Sequence, residues 1–324
     1  MVTTSEYEYN NKTVYGIKSN TVRYTWVGYH LFVIISSLAG DTTILIACIK
    51  HKAFKLHRVI TVVIQHMAIC DLMVCVTDIF PRLVSITADD WVFGQFLCNC
   101  STLMGYYFNQ TNILLISVMT TNKLLLLRYP LRFGTTTLKK ANLICLTCWL
   151  AALSFPVTGF LVDWQNISFS YLVYHCDYVY SADIWYWLRP LFSILLFIST
   201  CQVVGSTISL LIKAKQCAKR GHDTLKWQGI MTTVLTASVF CISVLPYTVY
   251  AVTRSILNVE DKSQSFFTSF TRIAISCLAL NTISNFYIYS LTVLSFREFV
   301  RSRIELTWEF FSTKLGYSQS SNSV

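Results

Sequence analysis

The sequence predicts an all-α membrane protein, a seven-transmembrane helix bundle with a short amphipathic eighth helix. Three observations carry that expectation. Seven stretches of about 20 or more mostly apolar residues succeed one another along the 324-residue chain, and a hydrocarbon core about 30 Å thick takes about 20 helical residues to cross. Hydrophobic residues make up 54% of the chain and charged ones 13%, which leaves no room for a second, water-soluble domain. The charges are also sorted. One set of alternate connections and helix ends holds 18 of the 26 basic residues and 4 of the 16 acidic ones, against 8 and 12 elsewhere. The positive-inside rule then places that set in the cytoplasm and the N-terminus outside.

The elements follow in order. Residues 1–23 form an extracellular tail with no basic n-region and no short apolar run, so no cleaved leader is expected and the first span serves as the insertion signal. Asn11-Lys12-Thr13 there, and Asn166-Ile167-Ser168 in a later outer loop, fit the N-glycosylation pattern; Asn109-Gln110-Thr111 fits it too but lies within a span. The spans run over Tyr24 to Ile49, Val59 to Ile86, Phe96 to Leu127, Ala141 to Phe160, Ile184 to Ile212, Gly229 to Thr253 and Phe266 to Leu294, so that residues 24–294 form the membrane domain. In the third span, Cys98 and Lys123 are 25 residues apart, roughly 37 Å of helix. One therefore lies at the outer face and the other at the inner face. Phe296, Phe299, Val300, Ile304, Trp308 and Phe311 recur at helical spacing among Arg297, Arg301 and Arg303, which reads as an amphipathic helix over residues 295–311 on the inner membrane surface. A cytoplasmic tail, 312–324, closes the chain with several Ser and Thr residues open to kinases or simply solvated.

Several function classes recede. The net charge of +10 is split among four short segments beside apolar spans, not laid out as a basic stripe, so no nucleic acid partner is expected. Of twelve cysteines most fall inside spans as small apolar residues, including Cys145-Leu146-Thr147-Cys148, whose redox or metal spacing has no acid or histidine beside it. No HExxH, phosphate-binding glycine loop or paired-half transporter architecture occurs, and the six histidines are scattered. An enzyme is not expected.

A series of motifs then coincides in order. Gly40-Asp41 lies in the first span, Met67-Ala68-Ile69-Cys70-Asp71-Leu72 in the second, and Trp91-Val92-Phe93-Gly94 ahead of Cys98. Trp149 with Pro156 beyond it marks the fourth span, Phe240 six residues before Pro246 the sixth, and Asn285-Phe286-Tyr287-Ile288-Tyr289 followed by Phe296-Arg297 the end of the seventh. On these residues the chain resembles a divergent rhodopsin-like, class A G-protein-coupled receptor over nearly its whole length. The resemblance implies a multi-pass plasma-membrane receptor in the lipid bilayer that takes an extracellular ligand and signals to a heterotrimeric G protein and to arrestin. It also implies a Cys98–Cys176 disulfide stapling the second outer loop over the pocket.

Departures from the family sit at its switch. Asn122-Lys123-Leu124 stands where the family has Asp-Arg-Tyr, and lysine keeps the charge of the G-protein-contacting arginine but loses its planar fork. Lys226 falls where an acid usually forms the inner ionic lock. Ser243-Val244-Leu245-Pro246 lacks the family's tryptophan while Phe240 and Pro246 persist, and Phe286 replaces the family's proline between Asn285 and Tyr289. A seven-helix decoy or sensory receptor that does not activate G proteins by the usual route is the alternative these losses leave open.

Two candidate sites remain. By resemblance Asp71 matches the residue that holds a sodium ion, helped by Asn281, Thr282 and Asn285 and with Asn112 where serine is usual, so a structural sodium ion is the one cofactor implied; a metal-free polar core is the other reading. Asp41 replaces an asparagine near Asp71, which places two buried carboxylates together and leads us to expect a shared proton or a compensating cation. Toward the outer face, Asp78, Arg82, Tyr106, Asn109, Gln110, Tyr247, Tyr250 and Arg272 form a polar set able to bind a polar or carboxylated small molecule or a peptide. Asp78 and Arg82, spaced i,i+4, also read as an internal ion pair, whereas Arg272 has no acid near it in sequence. Gly105 stands where amine receptors carry an aspartate and Ala279 where opsins carry a lysine, which disfavours monoamines and retinal.

Overall fold

A computed structural model describes residues 15–49, 58–133, 137–163, 167–178, 183–218, 224–257 and 264–314. The glycosylation candidates Asn11 and Asn166 lie outside the described residues. The first span is α1 (Asn20–Ile49), and the second is one rod built of α2 (Arg58–Val74), a π-helical turn (Cys75–Ile79) and α3 (Phe80–Ala88). The third is α4 (Gly94–Arg128), followed by the short α5 (Pro130–Phe133), and the fourth joins α6 (Leu138–Ala152) to α7 (Ser154–Asp163). A hairpin of β1 (Ile167–Ser170) and β2 (His175–Tyr178) precedes α8 (Asp183–Ala218), α9 (Thr224–Leu257) and α10 (Gln264–Thr292), which are the fifth to seventh spans. The eighth helix, α11 (Leu294–Lys314), is set off from α10 at Val293.

Five of these rods are long and apolar enough to cross a membrane by length and composition, and the fifth span adds the apolar stretch Phe197–Lys213. The third span falls short for a physical reason. It packs against the second, fourth, fifth and sixth spans at once, and its polar side chains Ser101, Thr102, Thr111, Asn112, Thr120 and Asn122 are buried there. Surrounded by protein, it has little need of a lipid-compatible surface. The peripheral helices show the opposite: Leu31, Phe32 and Ile35 on α1 and Ile242, Leu245 and Val249 on α9 are exposed, as a helix solvated by lipid tails requires.

The π-turn has an identifiable cause. Pro81 lacks an N–H, so the carbonyl of Thr77, four residues earlier, loses its helical donor. Phe80 N–H reaches back instead to the carbonyl of Cys75, five residues away, and the hydroxyl of Ser101 on the third span donates to the Thr77 carbonyl at 2.5 Å. The second span is thus completed by the third. At the far end of the bundle the main core gathers Met67, Leu115, Met119, Phe240, Tyr289 and Phe296. Gly40 is packed so closely that a Cβ there would stand 2.8 Å from Cβ of Phe286. The side chain that replaces the family's proline therefore fills the groove between the first and seventh spans, and α10 runs unbroken through it.

Candidate functional site

The hairpin lies across one end of the bundle. Its strands pair in antiparallel register from Ile167 opposite Tyr178 to Ser170 opposite His175, and Cys176 is joined to Cys98 at the start of the third span with a Cα–Cα separation of 5.4 Å. Cys100 is free. Tyr174, at the tight turn before β2, takes a positive φ of 51°.

Beneath the hairpin Asp78 and Arg82 form the ion pair that their spacing suggested, and the second nitrogen of Arg82 donates to the carbonyl of Val173 at 2.5 Å. His175 closes the cluster. Its Nε2 lies 3.6 Å from the Asp78 carboxylate and 2.7 Å from Ser101 Oγ, while Nδ1 lies 2.9 Å from the carbonyl of Cys176. That carbonyl only accepts, so Nδ1 carries the hydrogen, and the single Ser101 hydrogen is shared between Thr77 O and Nε2. Burial holds the His175 imidazole below its ordinary pKa, with the Asp78 carboxylate pulling the other way.

Arg272 is differently placed. It donates to the backbone carbonyls of Tyr15, Tyr171 and Leu172, the last two at 3.3 Å, and lies 5.9 Å over the Tyr174 ring. These acceptors are neutral dipoles, and among the described residues Arg272 forms no ion pair. Tyr174 in turn accepts from the N–H of Ile17 at 2.8 Å and donates to Asp89 at 3.0 Å, and burial together with Asp89 raises its phenol pKa. A narrow cleft, with little free space beyond that of a water molecule, is lined by Ile17, Arg82, Arg272, Trp26, Ile86, Ile275 and the 172–174 turn.

The other candidate ligand residues do not line that cleft. Tyr106 donates to Asp177 at 3.0 Å, Asn109 turns its amide back to the carbonyl of Gly105 at 2.9 Å, Gln110 is half-buried, and Tyr247 rests against Tyr250 with ring centroids 6.0 Å apart. Sequence reasoning passed over Ile17, Tyr174 and His175. The flank of a disulfide cysteine was the available signal for His175, and nothing local marked the other two.

In the middle of the bundle both oxygens of Asp71 accept amide hydrogens, from Asn112 at 2.6 Å and Asn285 at 2.7 Å. Asn285 accepts from Tyr289 at 3.4 Å. Asp41 accepts from Ser37 at 2.7 Å, and its other oxygen is buried without a hydrogen-bond partner, as is the amide oxygen of Asn112. Thr282 donates to Ala279 within its own helix at 2.8 Å, and Asn281 is buried. Two carboxylates, Asp41 with an orphaned oxygen and Asp71, together with the orphaned amide oxygen of Asn112, make a donor set of hard oxygens that fits a small oxygen-seeking cation such as sodium.

At the end remote from the hairpin, Asn122 and Lys123 are buried, and Lys123 forms no ion pair among the described residues. Lys226 lies on α9, but its side chain is outside the described residues. Phe240 and Tyr289 share the main core, and Pro246 lies within α9.

Residues 40–289 match the model of the 7 transmembrane receptor (rhodopsin family), and the chain belongs to that family. It is a family of receptors, not enzymes. The chain is similar to the octopamine receptor beta-2R of Chilo suppressalis, 21% identical over 138 residues that make up 42% of this chain and 34% of that receptor. It is 32% identical to proteinase-activated receptor 3 of Homo sapiens over 90 residues, 28% of this chain and 24% of the relative. These two matches thus span about a third or less of the relatives' own lengths. A longer match, 21% identical over 286 residues, covers 86% of this chain and 83% of the 2-oxoglutarate receptor 1 of Rattus norvegicus.

Proposed function

We propose that the protein is a plasma-membrane receptor, with its N-terminus and hairpin outside, that binds a carboxylate-bearing small molecule or peptide and signals to a heterotrimeric G protein. The observation that carries the ligand class is the contrast between the two cleft arginines. Arg82 is neutralised by Asp78, whereas Arg272, among the described residues, faces carbonyl dipoles and the Tyr174 ring and no acid. A ligand carboxylate replaces those dipoles with charge-assisted, bidentate hydrogen bonds, and Trp26, Ile86 and Ile275 receive an apolar body. The rat relative is named for 2-oxoglutarate, itself a dicarboxylate, which agrees with this reading.

Nucleotide exchange in membranes, screened against organic acids and their amides, tests the proposal. An active acid should lose roughly 10- to 100-fold in potency on Arg272→Ala, and its amide little. Equal losses for acid and amide would remove the carboxylate from the reading. Asp41, Asp71 and Asn112 are proposed to hold a sodium ion between them in the resting receptor, with Asn281, Thr282 and Asn285 around it.

Lys123 favours a second reading. A buried ammonium without the rigid donor fork of arginine engages a partner helix less specifically, and a receptor that binds its ligand without exchange would be the outcome. Ligand binding without nucleotide exchange or arrestin recruitment identifies that case.

A further inference from the structure

In the N-terminal segment 15–19, Ile17 lines the cleft and the segment is tied to the bundle through Tyr15 and Ile17. The Ile17 side chain is buried, 7% exposed, with Ile86, Tyr171 and Tyr174. Its N–H donates to the Tyr174 hydroxyl at 2.8 Å, and its carbonyl accepts from Arg23 at 3.2 Å. Arg23 is itself fixed by Asp89 at 2.7 Å, the carboxylate that also accepts from Tyr174. Two residues earlier, the carbonyl of Tyr15 accepts from Arg272. Ile17 also lines the cleft together with both arginines. An exposed terminal segment gains nothing from such placement unless its contacts outweigh the entropy of ordering it. Here one of them, the Tyr15 carbonyl, sits on the guanidinium to which a ligand anion would bind.

We propose that residues 15–19 are the resident occupant of the cleft and an intramolecular competitor of its ligand, with the Tyr15 carbonyl holding the place of an anionic group on Arg272. The proposal rests on the reading of the cleft as an anion site, and it adds that access is gated by the chain itself. The competitor is a weak one by construction. A carbonyl dipole yields to a carboxylate at a guanidinium, while Ile17 and Arg23 keep the segment close enough to return when the ligand leaves.

The test uses the full chain at the cell surface, with Ile275→Cys as a reporter in the cleft. Membrane-impermeant methanethiosulfonate reagents, one carrying a sulfonate and one a trimethylammonium group, modify it, and rates are taken over the background of the native cysteines. Ile17→Gly removes the buried anchor and should speed both reagents by about tenfold or more. Arg23→Ala frees the Ile17 carbonyl at a residue that does not itself line the cleft and should act in the same direction to a smaller degree. It carries the test if Ile17→Gly does not reach the surface. Rates unchanged in whichever variants reach the surface would overturn the proposal, because the segment would then not cover the cleft. In the Ile17→Gly background, Arg272→Ala should slow the sulfonate reagent selectively. If both reagents respond alike while release still speeds them, the anion reading falls and the gating segment stands.

Discussion

His175 shows how much a single side chain can be asked to join. It touches the disulfide strand, the third span through Ser101 and the ion pair of the second span. Because burial holds its pKa below the ordinary value of 6.5, the folded receptor binds fewer protons there than the unfolded chain. The stability it contributes is complete above about pH 6.5 and is lost as pH falls below that. Thermal denaturation in detergent should thus decline on acidification in wild type and decline less in His175→Asn, which removes the titration. Parallel profiles would show that His175 is not the group responsible. At the opposite end, Lys123→Arg adds planar donors at constant charge. Agonist-stimulated nucleotide exchange is expected to rise several-fold in Lys123→Arg and to fall in Lys123→Ala at matched surface expression. Equal behaviour of all three would mean that the partner is engaged elsewhere.

At the scale of the element, the second span depends on a donor from outside itself. Ser101→Ala leaves the Thr77 carbonyl without a hydrogen and should cost about 1–3 kcal/mol. Pro81→Ala supplies a helical N–H in its place, so the double variant should be more stable than Ser101→Ala alone. A double-mutant cycle of melting temperatures that shows no coupling would disprove this link. Much at this scale was legible in the chain. Apolar runs announced the spans, and the i,i+4 spacing of Asp78 and Arg82 announced their pair. The carbonyls on Arg272 were not legible, since they belong to a loop and a terminal segment far from it in sequence. The same holds for Tyr174 and Ile17, which are 157 residues apart in sequence and in contact in space. The amides on Asp71 were foreseen as neighbours from family spacing. The orphaned oxygen of Asp41 is a property of packing, which spacing does not report.

For the whole molecule, the burial of the polar third span has a consequence for how the bundle comes to exist. A helix carrying Asn, Thr and Ser along its length gains little by leaving the translocation channel for lipid, where each unsatisfied polar group costs several kcal/mol. The second span arrives in the bilayer with an open carbonyl at Thr77, and the third brings the hydroxyl that closes it. Each is a poor passenger alone, and together they form a unit. The expected biosynthetic step is then the lateral release of a helical hairpin, not of two independent helices. If the second span is replaced by an inert leucine-rich helix, the third should remain in the lumen in a measurable share of molecules, read as glycosylation of an acceptor placed after Arg128. An unmodified acceptor would show that the third span inserts unaided. A substitution at Ser101 or Pro81 would accordingly be felt first as a defect of biogenesis, in the number of receptors that leave the endoplasmic reticulum, before any change in what the survivors bind.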